Sequence, residues 1–271
     1  MSTTPYAWFG MTCNPFLKQS IPASDCFQSR DFKEMTGALD QAKDVRGIAV
    51  FTSKPGNGKT CTLKAFEQGL NPNLYRMDYI CLSTVSIAEF YRQLCDVLGL
   101  PPKGGKPGMF KAIKEQIWYL YKEKRQPLII TIDEAQYLNT AILNDLKMLM
   151  NYDYDSFNCF TLILCGESYL NNTLRKPVHE ALRQRITVHY EFQGLSDEEV
   201  PAYVRHKIRF AGGSDQIINE AAMSALNSMS QNNPRVIDNI MNDALTISMQ
   251  SGKPVIDADI ILAAVNHQSF A

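Results

Sequence analysis

Short apolar runs alternate with amphipathic stretches over the first two thirds of the chain, and beyond Leu195 only the amphipathic stretches continue. GIAVFTS (47–53), LYRMDYICL (74–82), PLIITID (127–133), CFTLILC (159–165) and ITVHYEF (186–192) have the length and the branched or aromatic content of strands. PLIITID is apolar almost throughout, which suits the middle of a parallel sheet covered on both faces. The intervening spacing predicts helices over about 29–43 and directly after KPGNGKT. Another carries Ile87, Phe90, Tyr91, Leu94 and Leu98 and takes Ser83 as its cap. A long helix then runs to about Lys124, followed by helices at 140–151, 168–174 and 177–183. Ser196-Asp197-Glu198-Glu199 opens a helix in the manner of a capping box. Further helices are predicted over 217–230, 234–250 and 257–266, the last opened by Asp257.

Strands that alternate with helices place the chain in the α/β class, with a five-stranded parallel sheet between two helical layers and a small all-helical domain after it. The expected division is an irregular, aromatic N-terminal segment (1–45), an α/β domain (46–194) and a helical domain (195–271). Ligands on such sheets bind beyond the carboxyl ends of the strands.

Composition changes this picture little. Of 271 residues 45% are hydrophobic and 20% charged, as in soluble globular proteins. A formal net charge of −1 gives no global basic excess, although a locally basic face is compatible with it. The seven cysteines form no CxxC pair and mostly sit in apolar runs, so the expectation is buried, reduced thiols. The opening MSTTPYAWFG lacks the features of a signal peptide, and no window has the 18 or so apolar residues of a membrane span. The expected compartment is the cytoplasm, with no membrane partner. The four histidines show no ligand spacing and are expected to be structural.

Candidate chemistry narrows the function. In Ser53-Lys54-Pro55-Gly56-Asn57-Gly58-Lys59-Thr60 the glycines let successive backbone N–H groups wrap a polyphosphate. The following helix adds its N-terminal dipole. Pro55, Gly56, Asn57, Gly58, Lys59, Thr60 and Cys61 are the expected nucleotide-contacting stretch. Lys59 is expected to neutralise the β- and γ-phosphates, and the Thr60 hydroxyl to ligate Mg²⁺. Ser53 stands where such loops usually have their first glycine, a position at the strand end where tolerance is expected. Some 70 residues on, an apolar strand ends in Asp133 and Glu134. Asp133 suits the magnesium shell, and Glu134 suits the general base that polarises the attacking water.

Three weaker signals accompany these. Arg183 and Arg185, before the fifth predicted strand, are candidates for an arginine that reaches a neighbouring subunit's γ-phosphate, with Arg185 preferred. Arg235, in the first turn of the helix opened by Asn232-Asn233-Pro234, is placed to report nucleotide state. Glu167, at the tip of the fourth strand, occupies a position where a polar residue contacts the attacking water.

With these parts in order, the sequence resembles the AAA+ ATPases, in the branch containing ExeA-like proteins and the transposition helper ATPases of the IstB, TnsC and TniB types. The resemblance runs through Phe9-Gly-Met-Thr-Cys-Asn-Pro15-Phe16, PGNGKT, IDEAQYL, LRQRI and NNPRVIDN. It implies ATP or ADP as the bound nucleotide with Mg²⁺, and self-assembly into a ring or filament. It implies that Pro15 and Phe16 wall the adenine pocket. For the transposition branch it further implies non-specific binding of double-stranded DNA and presentation of that DNA to a transposase. Lys103, Lys106, Lys111 and Lys114, in and after the loop GLPPKGGKPG, are the candidate phosphate contacts. Secretory ExeA proteins usually carry a membrane span and a peptidoglycan-binding segment after the ATPase, and a chain ending soon after the helical domain weighs towards the transposition role. The expectation is therefore an ATP-hydrolysing transposition helper. Its rivals are an assembly scaffold with little turnover, and a secretion or replication accessory ATPase acting on protein.

Overall fold

The computed structural model describes residues 4–18, 22–81, 86–153 and 157–268. All five predicted strands form: β1 Ile48–Ser53, β2 Arg76–Cys81, β3 Leu128–Asp133, β4 Phe160–Glu167 and β5 Ile186–Glu191. They pair in parallel in the order β2-β3-β4-β1-β5. Every residue of β1 and β3 is buried, as expected of inner strands of a covered parallel sheet. Ser53 is in register with Glu167 and Cys81 with Asp133, so the strand ends that carry the candidate residues lie along one edge of the sheet.

The helices are α1 Pro5–Trp8, α2 Arg30–Val45, α3 Lys59–Gly69, α4 Ile87–Leu98, α5 Gly105–Lys122, α6 Thr140–Leu149, α7 Tyr169–Leu174 and α8 Glu180–Arg183. After the sheet come α9 Glu199–Phe210, α10 Glu220–Ser230, α11 Pro234–Gln250 and α12 Ala258–Gln268. Their caps explain several of their ends. Ser86 accepts from Glu89 N while the Glu89 carboxylate accepts from Ser86 N, a reciprocal cap that starts α4. The expected cap at Ser83 lies outside the described residues. Gly99, left-handed at φ 73°, ends α4. Ser196 and Glu199 exchange the same pair of bonds ahead of α9, and Asp257 Oδ1 accepts from Ile260 N at the start of α12.

The chain separates into two compact units. One comprises Glu34–Pro55 and Phe66–Phe192 and holds the sheet. Ile48, Val50, Ile130 and Leu162 from the strands share its core with Phe90, Tyr91 and Leu94 from α4 and Ile113 and Ile117 from α5. Burying each such side chain contributes about 1.5–3 kcal/mol, so the sheet and its helices stabilise one another. The other unit comprises Met1–Lys33, Gly56–Ala65 and Gln193–Ala271, and so takes up the loop 56–58 and the first turns of α3. Met11 and Phe16 join Val204, Ile208, Ile237, Met241 and Leu245 in its core. Within it Lys207, only 8% exposed, donates to both carboxylate oxygens of Asp238 at 2.7 Å, and Tyr203 donates to Oδ1 at 2.9 Å. Burial lowers the pKa of Lys207 and raises that of Asp238, which sets the solvation cost that the pairing offsets.

Two expectations are corrected here. The cysteines are not uniformly buried thiols: Cys26 and Cys61 form a disulfide, Cys81 is exposed and Cys13 half-buried. Only Cys95, Cys159 and Cys165 fit the buried, reduced description. The pairing joins residues 35 apart in sequence, a proximity that neither composition nor spacing encodes. The lysine-bearing loop is also shorter than expected, because α5 begins at Gly105 and so takes in Lys106, expected in the loop, along with Lys111 and Lys114, which were expected after it.

Candidate nucleotide and hydrolysis site

The phosphate loop follows β1. Ser53, where a first glycine is usual, is the last strand residue, has no positive φ and donates its hydroxyl to Lys54 O at 2.6 Å. Its backbone therefore has no need of glycine. Gly56 and Gly58 do need it, at φ 89° and 98°. A Cβ on Gly56 would lie 2.6 Å from Arg235 Cβ and 2.6 Å from Asn233 Oδ1, so this glycine admits the start of α11 to the loop. Asn57 is 8% exposed, and its Oδ1 accepts from Asn233 Nδ2 at 3.1 Å. Helix α3 begins at Lys59, with Thr62 N and Oγ1 both donating to Gly58 O. Lys59 is half-buried and Thr60 exposed, at the N-terminus where helix dipole and free N–H groups favour an anion.

Asn233 caps α11: its Oδ1 accepts from Arg235 N at 3.0 Å and Val236 N at 3.4 Å, with Pro234 in the first turn. The cap sets Arg235 against Gly56 while leaving the Arg235 residue exposed. Pro15 is buried, and Phe16 is 4% exposed in the helical core with Lys207 Nζ 5.7 Å from its ring centre. Asp31, 2% exposed, accepts at Oδ2 from Gln193 N and Gly194 N, a turn that sequence reading did not anticipate.

The acidic pair ends β3. Asp133 is 5% exposed; Oδ1 accepts from Glu134 N at 3.0 Å and Oδ2 accepts from the Tyr79 hydroxyl at 2.6 Å. Burial, then this bond, push the Tyr79 phenol well above its usual range. Burial, then the Asp133 and Glu134 charges, also raise the thiol of Cys81. Glu134 has a left-handed backbone at φ 58°, a conformation that costs a non-glycine residue of order 1–3 kcal/mol. Its Oε2 accepts from Gln136 Nε2 at 2.6 Å. Gln136 Oε1 in turn accepts from the backbone N–H of Glu167 at 3.0 Å. Glu134 and Glu167, selected separately from sequence, thus share one amide side chain. Nothing in the spacing announced Tyr79 or gave Gln136 a role, although Gln136 lies inside the IDEAQ motif.

Arg183 is exposed and donates to Leu174 O and Arg175 O, while Arg185 is half-buried and its carbonyl accepts from Ile48 N. Of the candidate DNA-contacting lysines, Lys106 pairs with Asp145 at 2.7 Å and Lys114 donates to Asn151 O at 2.5 Å. Lys111 is exposed and 3.8 Å from Glu115, and Lys103 is exposed. Of the four, Lys106 is the one whose charge a close carboxylate offsets, since the Asn151 carbonyl bonded to Lys114 is neutral.

The donor chemistry fits Mg²⁺, which prefers hard oxygens and takes only one or two protein ligands beside phosphates and water. The Asp133 carboxylate is such a donor in the unit that holds the sheet, and the Thr60 hydroxyl is one in the other unit. Among the described residues no group of three or more His, Cys, Asp or Glu forms a metal cage. His179 is fully buried in a short turn, and His189 Nε2 lies 3.0 Å from Asn171 Oδ1.

Residues 42–174 match the family described as AAA domain. Together with the phosphate loop and the sheet order, this match gives the chain an AAA+ P-loop fold consistent with an ATPase, here with a helical C-terminal part. The chain is 29% identical over 261 residues to General secretion pathway protein A of Aeromonas hydrophila, covering 95% of this chain. It spans 47% of that relative's length. Its fold is similar to that of Cdc6p from Pyrobaculum aerophilum, with a TM-score of 0.69 and 16% identity over 89% of this chain and 67% of that one. It is likewise similar to the ORC1 protein of Aeropyrum pernix, solved in complex with DNA, with a TM-score of 0.67 and 13% identity over 93% and 68%. No helix among the described residues is long and apolar enough to cross a membrane.

Proposed function

We propose that this protein is a nucleotide-switched ATPase in which the helical part reads the occupancy of the phosphate loop. The observation that carries the reading is the seat of Gly56 against Asn233 and Arg235, which puts a cationic helix start beside the phosphate cradle. In this scheme the loop N–H groups and Lys59 hold the phosphates, and Thr60 and Asp133 would hold Mg²⁺, which would neutralise charge developing on the γ-phosphate. Glu134 Oε1, the oxygen not bonded to Gln136, accepts the proton of the attacking water. Arg185, or Arg183, completes the site of a neighbouring copy in a ring or filament. Pro15 and Phe16 stand near the base. The test is phosphate release by wild type, Lys59→Ala and Glu134→Gln. Turnover by wild type alone supports the reading, and turnover unchanged in Glu134→Gln overturns it.

The client is read as double-stranded DNA delivered to a transposase, with Lys103 and Lys111 supplying phosphate contacts. Support comes from the transposition-type motifs and from the fold shared with a protein solved on DNA. Identity along nearly the whole chain to a general secretion protein favours a second reading, an accessory ATPase that acts on protein. A duplex-DNA gel shift with ATP and Mg²⁺ at low salt separates them. A shift weakened in Lys103→Ala/Lys111→Ala supports the first, and no shift at all sinks it.

A further inference from the structure

We infer that Gln136 is a positioning residue for hydrolysis, orienting the Glu134 carboxylate and tying it to the tip of β4. The inference rests on the reading of Glu134 as general base. A carboxylate that activates water needs one oxygen free and a fixed orientation, because misplacement by an ångström costs about 100-fold. Among the described residues Gln136 is the one side chain that donates to this carboxylate, at 2.6 Å on Oε2, leaving Oε1 for water.

Side-chain chemistry explains why glutamine stands here. An amide offers a donor and an acceptor a short distance apart. Gln136 gives the donor to Glu134 and uses the acceptor for the Glu167 N–H at 3.0 Å. A glutamate could only accept and a lysine could only donate. A second, independent feature accommodates the bridge. A Cβ on Gly166 would lie 2.6 Å from Gln136 Oε1 and 3.3 Å from Gln136 N, so β4 has a glycine where this side chain crosses it. Movement at the tip of β4 therefore reaches the base through two hydrogen bonds, and the Glu167 side chain need not touch water itself.

Two variants divide the bridge. Gln136→Met removes donor and acceptor at similar length, whereas Gln136→Glu keeps an acceptor for the Glu167 N–H and loses the donor. Both should lower kcat about 10- to 100-fold with KM for ATP changed by less than about twofold, since orientation at the reacting centre is lost and binding is not. In the nucleotide-free protein, hydrogen exchange at the Glu167 amide should accelerate in Gln136→Met and stay near wild type in Gln136→Glu. Unchanged or increased kcat, parallel changes in kcat and KM, or Glu167 exchange indifferent to both variants would overturn the inference. Glu134→Gln is the control. If it turns over ATP like wild type, the general-base reading fails; if it is inactive while both Gln136 variants are unimpaired, only the role of Gln136 fails.

Discussion

Asn233 Nδ2 donates to Asn57 Oδ1 at 3.1 Å, so the residue that caps α11 also holds the phosphate loop. Its own Oδ1 serves the helix, and its amide nitrogen serves the loop. The two roles are separable. Asn233→Asp keeps the capping oxygen and loses the donor, whereas Asn233→Ala loses both. The alanine variant should be destabilised by about 0.5–2 kcal/mol through the lost cap, and the aspartate variant by less. Both should bind ATP more weakly than wild type. Thermal melts and a fluorescent-nucleotide titration read the two effects, and an aspartate variant with wild-type affinity would show that the loop does not depend on this bond.

Gly56→Ala should fail at the loop without unfolding the sheet. At φ 89° an alanine is strained, and its Cβ would sit 2.6 Å from Arg235 Cβ. Nucleotide affinity is expected to drop by more than about tenfold, with a stability loss above the ~0.4–1 kcal/mol scale of compatible glycine replacements. Calorimetric titration with ADP checks the first part. Wild-type affinity would mean that the loop can re-form around a Cβ.

The Cys26–Cys61 disulfide ties the N-terminal segment to the helix that follows the phosphate loop, across 35 residues. A closed loop of that length constrains the unfolded chain by about 3–4 kcal/mol in the chain-entropy model. Reduction, or Cys26→Ser, should therefore lower Tm, whereas Cys95→Ser should respond identically to reductant and wild type. A melt that reductant does not move would argue against the bridge in solution.

Arg185→Ala should retain ATP binding and lose about 10³–10⁵ in turnover if this arginine completes a neighbour's site. Arg183 already donates to Leu174 O and Arg175 O, so Arg183→Ala is expected to act first on stability. Mixing inactive Glu134→Gln with Arg185→Ala provides the check. Partial recovery of turnover indicates a shared site, and no recovery indicates that each copy works alone.

Local chemistry was legible from residue order. Strand boundaries followed apolar runs, glycines at 56 and 58 marked the turn that needs positive φ, and Asn233-Pro234 announced α11 at its observed start. Where a cap depended on competing polar residues the reading slipped, from Ser86 to Ser83. The start of α5 was missed because Gly104, Gly105 and Pro107 read as loop, although proline is tolerated in a helix's first turn.

By itself the sequence determined the α/β alternation, the phosphate loop, the acidic end of β3 and the helical C-terminal part, since each depends on neighbours within a turn or a strand. Tertiary structure alone decided that Asn57 meets Asn233, 176 residues on, and that Gln136 links Glu134 to Glu167. It also decided that Cys26 finds Cys61, that Lys106 pairs with Asp145 and that Lys114 donates to the Asn151 carbonyl. The physical reason is the same for all four. Such contacts form when distant segments are closed against each other, and periodicity records which face a residue takes but not which partner that face will meet.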